Sequence, residues 1–211
     1  MSRAFSLADY GPKADGFVDD TPALQRCFAA AARGGTITIP PGAYCLAGRS
    51  PIAIPSGVTV FAYGARFLLP ATLRSEARLV LFAGCDVTDF AWHGGTFIGH
   101  CFDHRRPPNT WAPNANTRAI AISTSQGGRT ANLMFRDIQA RRVAGAVINV
   151  EGCGREGSES EVDTFATTVA VRDCTFTDCG KFMWDYGLLW QILVWPEEYA
   201  PQDVAMARRY F

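Results

Sequence analysis

The side chains with the residue types and spacing for chemistry are Asn149 and Glu151, in Ala146-Val147-Ile148-Asn149-Val150-Glu151, and Asp185, in Phe182-Met183-Trp184-Asp185-Tyr186-Gly187. Asp185 follows Asn149 by 36 residues, the shift that also carries Arg136-Asp137 onto Arg172-Asp173. If that shift is one turn of a repeating backbone, Asp185 occupies the slot above Asn149. Strand alternation then turns Ala146, Ile148 and Val150 inward and Asn149 and Glu151 outward. The diagonal of two residues and one coil puts Glu151 about 8 Å from Asp185. One carboxyl can protonate a glycosidic oxygen while another activates water at ~6.5–9.5 Å, so the pair has the separation of an inverting glycosidase. Outward carboxylates on a sheet are also ordinary solvated groups, and that is the competing interpretation.

Other residues fit around such a pair. Lys181, a few positions before Asp185, could neutralise a uronate carboxylate or act as base in a β-elimination; a surface lysine is the plainer alternative. Trp111, in the Pro-rich run Arg106-Pro107-Pro108-Asn109-Thr110-Trp111, and Trp195 offer flat apolar faces with polar edges that suit sugar rings. Alternation with Asp185 turns Trp184 and Tyr186 into the core. Arg105 and Arg106, in Asp103-His104-Arg105-Arg106, could pair bidentately with an acidic sugar. Glu156, Glu159 and Glu161 make the loop 151–163 acidic, yet it lacks the spaced oxygen ligands of a calcium motif, so a solvated insertion is favoured.

Those groups need a scaffold, and the chain offers repeats. Val58-Thr59-Val60-Phe61-Ala62-Tyr63-Gly64 is echoed 29 residues later by Val87-Thr88-Asp89-Phe90-Ala91-Trp92-His93-Gly94, and Leu133–Ile138 is echoed 36 residues later by Val169–Cys174. Periods of this size signal stacked units. Each unit consists of short β-rich runs broken by Gly, Asn or Asp, with no helical pattern long enough for a βαβ crossover. Unequal shifts imply coils whose loops differ in length. One helix precedes them: Thr21 reads as its N-cap and Pro22 as its first residue. Leu24, Phe28, Ala31 and Ala32 make its apolar stripe, and Gly34-Gly35 end it. Such a helix would hide the open bottom of a solenoid.

The run Asp9-Tyr10-Gly11, Asp15-Gly16, Asp19-Asp20-Thr21, Gln25, Gly34-Gly35-Thr36 and Pro41-Gly42-Ala43-Tyr44 resembles the N-terminal block of the pectate-lyase-like right-handed β-helix superfamily. That block opens many polysaccharide lyases, rhamnogalacturonase-like and polygalacturonase-like hydrolases, and phage tailspike depolymerases. Pro55-Ser56-Gly57-Val58-Thr59-Val60 and Gly94-Gly95-Thr96-Phe97-Ile98-Gly99 extend the match to nearly half the chain. The resemblance implies an all-β fold, a right-handed parallel β-helix with a short N-terminal capping helix. It also implies that substrate lies across the outward side chains of one stacked sheet. The Asn-Thr-Asp, Asp-Asp, Gly-His-Gly and Arg-x-Lys strings of polygalacturonase-like enzymes are absent from this sequence, and His93, His100 and His104 lie before the coils where that family keeps its catalytic groups.

The expected organisation is a single domain: N-terminal cap 1–47, coils 48–195 and a helical segment 196–211. With no visible C-cap, the chain is expected to be a front part of a longer protein, with an open solenoid end through which homo-oligomers could form. The 211 residues are 48% hydrophobic and carry 20 basic and 20 acidic side chains, a balance that argues against a nucleic-acid partner. No run resembles a signal peptide or a membrane span, which leaves a cytoplasmic location as the default. Seven cysteines, irregularly spaced, disfavour a disulfide framework; Cys85 and Cys174 read as small core residues. Two functions stay open. One is a glycoside hydrolase or polysaccharide lyase acting on acidic, pectin-like polysaccharide, with no cofactor beyond calcium for a lyase. The other is a non-catalytic carbohydrate-binding or tailspike-like module.

Overall fold

The structure, a computed structural model of the 211-residue chain, describes residues 3–69, 79–99, 117–143, 145–154, 162–164, 166–179 and 201. In chain order, β1 (Ala4–Ser6), a 3-10 turn (Leu7–Tyr10) and β2 (Asp15–Asp19) precede helix α1 (Thr21–Ala30). Coils follow: β3 (Gly35–Thr38), β4 (Gly42–Cys45) and β5 (Ile52–Ala53), then β6 (Val58–Phe61), β7 (Ala65–Leu68) and β8 (Val80–Cys85). The next are β9 (Thr88–His93), β10 (Thr96–Ile98) and β11 (Arg118–Ser123), then β12 (Ala131–Arg136), β13 (Gln139–Arg141) and β14 (Ile148–Glu151). A short antiparallel pair, β15 (Cys153–Gly154) with β16 (Val162–Thr164), interrupts the winding before β17 (Thr167–Arg172) and β18 (Thr175–Thr177). That hairpin lies inside the stretch expected to be a plain solvated insertion.

Three parallel sheets result, each built from one strand per coil. Sheet A stacks β1-β3-β6-β9-β12-β17, sheet B stacks β2-β4-β7-β10-β13-β18, and sheet C stacks β5-β8-β11-β14. Along sheet A the outward column Thr36, Thr59, Ala91, Met134, Ala170 advances by 23, 32, 43 and 36 residues. The last step is the one expected from Arg136-Asp137 and Arg172-Asp173. The 29-residue echo is not: β6 pairs with β9 at a shift of 32, Val60 opposite Trp92. An odd shift of 29 would have set Asp89 over the inward Val60, and a one-residue change of parity exchanges the faces of a strand. Burial chooses the register that stacks Trp92 there.

The interior is filled by vertical columns. In sheet B, Tyr44, Phe67 and Phe97 lie one above another, with ring centroids 5.9 and 4.9 Å apart. Phe82 of sheet C and Trp92 of sheet A each meet Phe67 edge-on at 5.7 Å and lie 4.9 Å from each other. Trp92 donates its indole N–H to the Gly94 carbonyl at 3.0 Å, so the one polar atom of this buried ring is satisfied. From β9 onward, sheet A passes to sheet B through two-residue turns, Gly94-Gly95, Asp137-Ile138 and Asp173-Cys174, whose first residues have φ of 76°, 56° and 55°. Asp tolerates this left-handed conformation better than most non-glycine residues, which explains the repeated Asp at that step.

Helix α1 closes the bottom. Leu24, Cys27, Phe28 and Ala31 are buried, and Phe28 reaches Phe82 and Trp92 at 5.5 and 6.3 Å. Ala32 is exposed, because the last helical residue is Ala30 and the chain has already turned away. The N-cap is Asp20, one residue before the expected Thr21. Asp20 is only 2% exposed, and its carboxylate accepts from the Lys13 and Ala14 N–H groups at 2.6 and 3.1 Å. Asp19 accepts from Thr21 N and Ala47 N, each at 3.0 Å, and Thr21 Oγ1 accepts from Gly48 N. The Asp-Asp-Thr motif thus sews loop, helix and first coil together. Gly35, at φ 136°, passes so close to Arg3 that a Cβ would sit 2.5 Å from its carbonyl oxygen.

Among the cysteines, Cys27 and Cys45 are buried; Cys174 packs partly against the core, as expected, whereas Cys85 is exposed at the outward end of β8. Burial pushes the Cys27 thiol up to about 11. No described helix is long and apolar enough to cross a membrane.

Candidate functional site

Sheet C presents the face that carries Asn149 and Glu151. Its outward positions form two columns: Ala83, Ala121 and Asn149, and beside it Cys85, Ser123 and Glu151. Ile148 and Val150 pack against the core, as alternation requires, but one step earlier the buried residue is Val147 while Ala146 is half-exposed. The expected inward position of Ala146 is therefore corrected: regular pairing of β14 begins only at Ile148, opposite Ile120. Ala83 and Ala121 leave a low floor, and Arg118 of β11 meets Glu151 of the next rung, Nη1 to Oε1 at 2.9 Å. Arg118 is more enclosed than Glu151, with 22% against 48% of the side chain exposed. The ion pair fixes where the carboxylate points. At the rim, Asp86 accepts from the Ser125 N–H at 2.8 Å and its hydroxyl at 2.5 Å, bonds that hold its carboxyl below the usual range.

Six of the eight residues singled out in the sequence, Asp185, Lys181, Trp111, Trp195, Arg105 and Arg106, lie outside the described residues, as does the helical segment expected at 196–211 apart from Pro201. Asn149 and Glu151 are on one exposed face, two residues apart, with their neighbours set by the register above. Among the described residues no group of three or more His, Cys, Asp or Glu side chains is arranged to hold a metal ion.

A second exposed grouping sits where sheet A turns into sheet B. Phe61, His93, Arg136 and Arg172 form one outward column on four successive rungs. Phe61 and His93 stack at 5.0 Å with rings 17° apart. Beside them Tyr63 donates its hydroxyl hydrogen to Asp137 Oδ2 at 2.6 Å, and Arg136 Nε lies 3.4 Å from Asp173 and 3.7 Å from Asp137. The tyrosine ring crosses Gly94, where a Cβ would meet it at 2.6 Å. The bond to Asp137 raises the Tyr63 phenol above its ordinary value. Burial and the Arg136 charge hold His93 below its ordinary value, with Asp137 partly opposing. The sequence carries one signal for this grouping, the Arg-Asp pair repeated 36 residues apart, which marks the charged column as well as the coil length.

Three parallel sheets, one strand of each per turn, and a helix across the bottom define the class: this is a right-handed parallel β-helix. No family of aligned sequences and no curated protein matches the chain. Solved structures do. The A-module of the mannuronan C-5 epimerase AlgE6 from Azotobacter vinelandii superimposes with a TM-score of 0.60 at 17% identity, over 83% of this chain and 47% of that one. The AlgE4 A-module from the same organism gives 0.54 at 15%, over 84% and 50%. A provisionally assigned glycosyl hydrolase from Parabacteroides merdae ATCC 43184 gives 0.50 at 15%, over 84% of both chains. The chain spans about half the length of the epimerase modules. At such identities the likeness establishes the fold.

Proposed function

We propose that this protein is a carbohydrate-active β-helix that takes an acidic, pectin-like polysaccharide across sheet C and hydrolyses it. The observation that carries the reading is the outward Glu151, aimed by Arg118 over a floor of Ala83 and Ala121 beside Asn149. A sugar chain laid along the coil axis would rest on that low floor, with Asn149 offering amide hydrogen bonds. Asp185, 36 residues beyond Asn149, is the proposed second carboxyl, and Lys181 the cation for a substrate carboxylate. Trp111, Trp195, Arg105 and Arg106 are proposed to line the path. That the superimposed structures include saccharide-modifying enzymes supports this choice of substrate class. Loss of one proton-transfer group costs about 10²–10⁴ in rate. Glu151→Gln and Asp185→Asn are each expected to lower reducing-end release from polygalacturonate by that factor. Unchanged release in either variant removes that residue from the chemistry, while an unsaturated product that requires calcium would replace hydrolysis by elimination.

The second reading is a binding module, and the Arg118–Glu151 contact favours it: a carboxylate already held by a guanidinium at 2.9 Å is less free to exchange protons. Saturable binding of polygalacturonate by the parent chain with no bond cleavage would establish that reading over the first.

A further inference from the structure

We propose that the corner between sheets A and B is a separate saccharide-binding ladder for a short anionic oligosaccharide, distinct from the face carrying Glu151. Four observations lead there. Phe61 and Tyr63 expose 39% and 51% of their surface on a solenoid whose neighbouring outward positions are Thr36, Thr59 and Ala91. Both rings are fixed before any ligand arrives: Phe61 against His93, and Tyr63 by its hydroxyl on Asp137 and by its passage over Gly94. A platform immobilised in advance loses little side-chain freedom on binding. Above it, Arg136 is held by Asp137 and Asp173, so its orientation is also set.

The fourth observation selects the charge of the ligand. Arg172 pairs in register directly with Arg136, so two guanidinium-bearing residues lie on adjacent rungs of one face. Like charges placed this way repel. Arg136 has two carboxylates, whereas Arg172 has no acidic partner among the described residues. A carboxylate or sulfate on a sugar ring would supply that partner through a bidentate contact. From Phe61 to Arg172 is three rungs, about 14 Å, room for several sugar units lying along the axis. Rings would stack on Phe61 and Tyr63 at one end, and an anionic group would meet Arg172 at the other. The saccharide class of this ligand rests on the reading of the protein as carbohydrate-active, while its negative charge rests on Arg172.

The test is NMR titration of the full chain with trigalacturonate and with the same trisaccharide after reduction of its carboxyls to neutral alcohols. The Tyr63 ring and Arg172 Nε signals are expected to shift saturably with the acidic sugar. Arg172→Ala should weaken the acidic trisaccharide by roughly tenfold and leave the neutral one unchanged; Tyr63→Ala should weaken both, and Tyr63→Phe, which keeps the ring but loses the Asp137 tether, should weaken both less. Glu151→Gln should leave all of these affinities as they were, whatever it does to turnover. Binding that moves no signal of Tyr63 or Arg172, equal loss of both sugars in Arg172→Ala, or no binding at all overturns the proposal. Loss of turnover in Glu151→Gln with these signals unmoved would spare the hydrolytic reading and remove only this one.

Discussion

Replacing Asp20 by alanine removes the acceptor of two backbone N–H groups, those of Lys13 and Ala14, at a position that is 2% exposed. A donor deprived of its partner away from water costs about 1–3 kcal/mol. Both bonds are partly buried, so the lower part of that range applies to each, and the sum is roughly 2–3 kcal/mol. No separate capping loss is added, because the Asp20 side chain makes no bond to the first turn of α1. For a chain of this size each kcal/mol moves the melting midpoint by about 2–4 °C. Asp20→Ala should therefore melt about 4–12 °C below the parent in calorimetry at neutral pH. Asp20→Asn, which keeps one acceptor oxygen, should fall between. Asp15 is the control: its carboxylate accepts from Phe17 N and Val18 N in full solvent, where water can take its place, so Asp15→Ala should shift the midpoint less than Asp20→Ala. A midpoint within about 2 °C of the parent for Asp20→Ala would refute the idea that this carboxylate anchors the loop.

Three further outcomes follow from the same structure. Trp92→Ala empties the centre of the aromatic interior and should cost about 3–5 kcal/mol by denaturant unfolding, whereas Val171→Ala, half-exposed on the last rung of sheet A, should cost far less. Because His93 titrates below its ordinary 6.5 in the folded chain, the unfolded chain binds more protons there. Stability should thus fall as pH drops from 7 through 6.5, and His93→Gln should remove that part of the loss. Thiol labelling followed by peptide mapping should modify Cys85 quickly, while Cys27, fully buried and with its thiol at about 11, reacts only after unfolding.

The fold was legible in the sequence because its strongest signals are local. Pro22 marks the start of α1, although the helix stops at Ala30, ahead of the expected Gly34-Gly35, and Arg136-Asp137 recurs as Arg172-Asp173 since both pairs enter the same two-residue turn. The signal that failed was similarity of residue type without attention to parity. Val58-Thr59 and Val87-Thr88 look alike, but Asp89 adopts φ 54° and the chain resumes its inward alternation at Phe90 and Trp92. Cys85 misled for a related reason: it ends a strand whose interior is buried and points out beside Ser123. For the candidate site, Asn149 and Glu151 were readable from alternation alone. Arg118 was not, because its partner Glu151 lies on the next rung and 33 residues away, a pairing set by coil register that no linear spacing reveals.

The step from sheet A to sheet B uses two residues from β9 onward, whereas the step from B to C stretches from the short run between Arg141 and Ile148 to the long one between Ile98 and Arg118. Length variation is thus concentrated at the two corners that adjoin sheet C, since the return from C to A also grows, from two residues between Cys85 and Thr88 to fifteen between Glu151 and Thr167, while the corner between A and B changes little. Segments swapped or lengthened at those two corners would alter what borders Glu151 without changing which rung sits on which, so the scaffold can accept new specificity there while its hydrogen-bonded register stays intact.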